Sequence, residues 1–124
     1  MSRARGAALV VALVAAMLAG VTAPALADTK YASKVTLASS FPAFHGKVKS
    51  KGGAACTEGR KVRLYSEELG GDELLGRTSS KANGRWKIPV KVTSGVFYAK
   101  VTNGGSASLG VRCKGDVSKP VSIG

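Results

Sequence analysis

Apolar and polar residues take turns along most of this chain. Val35 and Leu37 are the apolar members of KVTLA, Phe44, Gly46 and Val48 fill alternate places in FHGKVK, and Val62 and Leu64 do so in RKVRLYS. A period of two sends successive side chains to opposite faces of a strand, so each stretch predicts a half-buried strand with its basic residues on the wet side. The second half repeats the scheme: Trp86, Ile88 and Val90 share one face against Arg85 and Lys87. Phe97, Ala99 and Val101 share another against Val96, Tyr98 and Lys100. LLGRTS reads as a further short strand, and VRCKG through KPVSI as the segment that closes the sheet. No stretch after residue 28 recurs at helical spacing.

The connections are read from their turn residues. Residues 66 to 73 (SEELGGDE) hold four of the seven acids and the Gly70-Gly71 pair, which predicts a solvated loop. Lys81-Ala82-Asn83-Gly84 predicts a hairpin turn, because Asn-Gly accepts the positive φ that tight turns demand. NGGSASLG predicts a flexible loop. Pro89 has no N–H to give to a ladder, so its strand is expected at a sheet edge or to end there. The expectation is an all-β domain of about seven strands in an antiparallel Greek-key β-sandwich.

The first 27 residues have a different character. Arg3 and Arg5 precede an uncharged apolar run over residues 7 to 21, and Ala25-Leu26-Ala27 places small residues where a signal peptidase reads. The run is shorter than the roughly 20 residues that cross a hydrocarbon core, and Pro24 breaks the chain just beyond it. The expected organisation is a signal peptide over 1 to 27 and a secreted domain over 28 to 124. Export bears on Cys56 and Cys113, which lie 57 positions apart. In an oxidising compartment the pair is expected as a disulfide, worth about 4 kcal/mol for a loop of that length. A zinc site wants about four ligands, and two cysteines with the lone His45 supply too few.

Order and spacing carry a resemblance. F-H-G-K-V (44 to 48), G-R-K-V-R-L-Y (59 to 65), G-R-T (76 to 78), N-G-R-W (83 to 86) and G-V-F-Y-A-K-V (95 to 101) resemble the carboxypeptidase regulatory-like, prealbumin-like (transthyretin-type) sandwich family, nearest to small basic secreted actinobacterial members. The resemblance implies a seven-stranded Greek-key sandwich serving as a stalk, spacer or binding module. Phe97 stands where that family often has tyrosine, and no hormone-channel motif can be carried over.

Enzymatic chemistry finds no grouped partners. A triad or a cysteine nucleophile would have to be built on His45, which reads as a half-exposed strand residue, and the acids cluster in one loop instead of facing one another. No cofactor or metal is expected. Charge is the remaining hint. Removing Arg3 and Arg5 with the leader leaves 17 Lys plus Arg against 7 Asp plus Glu, a side-chain charge of +10 on the mature domain. Such a field attracts polyanions, which outside a cell are wall polymers, acidic polysaccharides or lipid head groups. The candidate face combines Lys61, Arg63, Tyr65, Arg85, Lys87, Tyr98 and Lys100. Two functions are open: a structural or interaction module of the cell surface with a protein or wall partner, or a polyanion binder that uses the basic strand face. Specific nucleic-acid recognition is not expected, because no recognition motif accompanies the charge.

Overall fold

The computed structural model describes residues 28–124, so the expected leader lies outside the described residues. The alternating stretches become strands: β1 Thr29–Tyr31, β2 Ser33–Val35, β3 Ala38–Ser40, β4 Ala43–Ser50, β5 Lys61–Ser66 and β6 Glu73–Ser79. They continue as β7 Arg85–Pro89, β8 Gly95–Val101, β9 Gly104–Ser106, β10 Val111–Cys113, β11 Asp116–Val117 and β12 Val121–Ile123. A single helical turn, α1 (Ala54–Thr57), and a 3-10 turn at Ala107–Leu109 interrupt them. No helix among the described residues is long and apolar enough to cross a membrane.

Two antiparallel sheets pack face to face. In the first, β4 pairs with β7 on one edge, and on its other edge with β2 and then β3. In the second, β5 lies between β6 and β8, and the far edge of β8 takes β11 and β12 in succession. Inward residues of both sheets form one core of Val35, Phe44, Val48, Trp86 and Ile88 against Val62, Leu64, Phe97, Ala99 and Val101. Phe44 and Phe97 meet across it with ring centroids 5.1 Å apart and planes tilted by 51°. Such a pair adds about 1 kcal/mol beyond the area it buries.

Among the described residues, twelve strands in three sheets stand where about seven were expected. The alternation of Val35 and Leu37 does not run through one strand, because Thr36 breaks it. The Thr36 hydroxyl accepts the Lys47 N–H at 3.0 Å, taking over a place that a backbone carbonyl would hold in a regular ladder. Gly46 makes the break possible, since a Cβ there would overlap the Thr36 carbonyl oxygen. The expected loop NGGSASLG contains β9, which joins β10 and β1 in a small third sheet. In that sheet β1 runs parallel to β10, so the fold is not wholly antiparallel.

The turn at residues 81 to 84 closes with the Gly84 N–H donating to the Lys81 carbonyl at 2.8 Å. Only Gly84 takes a positive φ there, at 84°, and Asn83 does not. It also joins β6 to β7, which belong to different sheets, so it is a corner between the layers and not a hairpin turn. β7 pairs on one edge only and ends at Pro89, as a residue without an N–H requires.

Cys56 on α1 and Cys113 at the end of β10 form a disulfide with Cα atoms 5.5 Å apart. Both cysteines are buried. The bond ties the small third sheet to the turn that leads into β5.

Candidate functional site

The seven residues of the expected basic face divide between two surfaces. Arg85 and Lys87 flank buried Trp86 on β7 and point outward from the first sheet. Lys61, Arg63 and Tyr65 alternate with buried Val62 and Leu64 on β5, and Tyr98 and Lys100 flank buried Ala99 on β8, so these five point outward from the second sheet. A two-layer fold turns its outer faces in opposite directions. The single seven-residue face is therefore corrected to two.

The first-sheet surface is the more strongly charged. Strand register sets His45 opposite Lys87 and Lys47 opposite Arg85 on β4 and β7, and Lys34 opposite Lys49 on β2 and β4. All six side chains are exposed. None of the strands β2, β3, β4 and β7 contains an aspartate or glutamate. Like charges directly opposite one another on neighbouring strands destabilise a sheet. A cleft of about 570 Å³ lies on this face, with His45, Lys47, Lys81, Arg85 and Lys87 around it and Thr36, Gly46 and Trp86 also in its wall. No carboxylate lines it. Sequence reasoning placed only Arg85 and Lys87 here. The other cations lie on β2 and β4, and the sequence carries no sign of which strands β7 adjoins.

The second-sheet surface is mixed. Arg77, Arg63 and Lys100 form a row across β6, β5 and β8. Beside it Tyr65 and Tyr98 stack, with ring centroids 5.3 Å apart and planes within 16° of parallel. The acidic loop between β5 and β6 folds back over this pair, and the Tyr98 hydroxyl donates to the Asp72 carboxylate. That hydrogen bond, with some burial and the charge of Asp72, pushes the Tyr98 phenol up to about 12. Carboxylates thus already occupy part of this surface.

A third feature escaped the sequence reading. Arg60, just before β5, is 3% exposed. Its Nη1 donates to Ser33 Oγ and the Cys56 carbonyl, both at 2.8 Å. Its Nη2 donates to the carbonyls of Thr102 at 2.7 Å and Lys114 at 3.1 Å. One side chain thereby ties β5 to α1, to the first residue of β2, and to the segments after β8 and β10. Burial lowers its pKa by penalising the cation. A signal was present: Arg60 has the same parity as Val62 and Leu64, so the alternation that sends them inward sends it inward too.

Among the described residues, no group of three or more His, Cys, Asp or Glu side chains is placed to hold a metal ion. Comparison with family models, curated proteins and solved structures finds no match to this chain. Its surfaces are therefore the ground on which function is read.

Proposed function

We propose that this chain is a non-enzymatic, secreted interaction module of the cell surface, on a prealbumin-type sandwich frame, that binds an anionic polymer through the acid-free face of its first sheet. The single observation that carries the reading is the set of opposed like charges there, Lys34 with Lys49 and Lys47 with Arg85, on strands that hold no acid. Charge kept only for solubility can be scattered and interleaved with acids at little cost. Cations opposed across strands carry a repulsion that an anionic partner removes. The leader-like residues 1 to 27, the net positive charge and the buried disulfide agree with an extracellular setting.

A salt titration tests it. Affinity of the mature chain for a polyphosphate and for an acidic polysaccharide should fall linearly with salt on logarithmic axes, by roughly one unit of slope for each anion contact made. Replacing Lys47, Arg85 and Lys87 with glutamine should flatten that slope. Salt-insensitive binding, or a slope unchanged in the triple variant, refutes the reading.

A further inference from the structure

The small third sheet carries charge that the polymer face does not account for. β1 and β10 run parallel in a register that sets Lys30 opposite Arg112, and Lys114 follows Arg112 two positions along. All three side chains are exposed, and β1, β9 and β10 contain no aspartate or glutamate. Like charges held opposite one another on neighbouring strands oppose folding, so a sheet of three short strands bears a cost here that scattered cations would avoid.

The three cations surround an open cavity of about 350 Å³, whose wall is completed by Asn103, Gly104 and Cys113. No carboxylate lines it. Asn103 adds donors to the cations: its Oδ1 accepts the Gly115 N–H at 2.8 Å, which leaves the NH2 of the amide to offer. The backbone of the wall is held from several sides. The Lys114 N–H donates to the Tyr31 carbonyl at 2.9 Å, the Lys114 carbonyl accepts from buried Arg60 at 3.1 Å, and the disulfide fixes Cys113. A frame already held in place lowers the ordering cost that binding must meet.

From this arrangement we propose that the cavity binds a phosphate group, with Lys30, Arg112 and Lys114 offsetting its charge and the Asn103 NH2 donating to one of its oxygens. Three cations without an acid suit a dianion better than a monoanionic carboxylate, and a planar guanidinium such as that of Arg112 can hold two oxygens of one phosphate together. The free ion and the phosphate end of a small ester share this chemistry. The site shares no residue with the polymer face, and the two stand or fall separately.

The test is an amide NMR titration of the mature chain at constant ionic strength, with inorganic phosphate, glycerol phosphate, acetate and chloride as titrants. Phosphate should give shifts that saturate and that centre on residues 30 to 31, 103 to 104 and 112 to 115. Acetate should bind about tenfold more weakly or worse, and chloride should not saturate. Saturation by both phosphates supports the site and extends it to esters, and saturation by the free ion alone supports it for inorganic phosphate. Lys30→Gln with Arg112→Gln alters only exposed side chains and should weaken phosphate binding by about tenfold or more, the worth of one charge-assisted contact. Asn103→Asp keeps an acceptor for the Gly115 N–H but puts a carboxylate in the wall, and it should abolish binding. Lys47→Gln with Arg85→Gln, on the first sheet, should leave it intact. Shifts that grow linearly in phosphate and chloride alike, or that spread over every basic surface, overturn the site. So does acetate bound as tightly as phosphate, or phosphate affinity unchanged in Lys30→Gln with Arg112→Gln.

Discussion

Lys47 and Arg85 stand directly opposite one another on adjacent antiparallel strands, with Trp86 buried beside Arg85 and Val48 buried beside Lys47. Their repulsion couples stability to binding with opposite signs. Arg85→Glu turns the opposed pair into an attractive one and should raise unfolding stability by about 0.5 kcal/mol. The same change should weaken anionic-polymer binding. Denaturant unfolding and a binding titration on one variant measure both, and a variant that loses stability and keeps affinity contradicts the assignment.

The disulfide closes a loop of 57 residues around most of the core. Replacing Cys56 and Cys113 by alanine should lower stability by up to about 4 kcal/mol, by the chain-entropy argument. Because both cysteines are buried, a mild reductant should act on the folded chain slowly and on the unfolded chain fast. Thiol labelling with and without denaturant reads the difference.

Arg60→Met keeps much of the side chain's length and removes every donor. Four acceptors in the surrounding segments lose their partner, and the expected loss is at least about 3 kcal/mol. Faster amide exchange in residues 104 to 114 than in β4 would locate the damage in the third sheet and not in the sandwich.

Gly46→Ala is expected to be far costlier than a typical surface change. The new Cβ would overlap the Thr36 carbonyl oxygen and lie 2.7 Å from the Trp86 ring, so backbone must move. A loss of about 2 kcal/mol or more, with a shifted Trp86 fluorescence maximum, is the expected result.

Tyr98 gives the pH prediction. Its phenol is raised from 10.0 to about 12 in the folded chain, first by the hydrogen bond to Asp72. A raised folded value means that the contribution is fully present below the unfolded pKa of 10.0 and is lost as pH rises through about 12. Of the three tyrosines, one should therefore ionise near pH 12 in a phenolate absorbance titration, and Tyr98→Phe should remove that late step.

Strand interiors were legible because burial on one face leaves a period of two in the residues themselves. Val62 and Leu64, or Phe97 and Ala99, show it without help from the rest of the fold. Partner choice was not legible. Arg85 and Arg63 look alike in sequence, and only long-range register puts one beside Lys47 and the other between Arg77 and Lys100. The break at Thr36 was hidden for the same reason, since it depends on a hydroxyl meeting the backbone of Lys47. Arg60 was hidden by its chemistry: an arginine next to a lysine reads as solvated even where its parity points inward.

The two layers also decide how the molecule would lie on a charged layer. With the acid-free sheet drawn down, the stacked tyrosines and the loop holding Glu67, Glu68 and Asp72 point the other way. The protein then carries a built-in electric moment, and attraction to a flat anionic film exerts a torque as well as a pull. Landing orientation comes from the fold itself, and whatever approaches from the medium meets a surface on which carboxylates and stacked tyrosines sit beside the Arg77, Arg63 and Lys100 row.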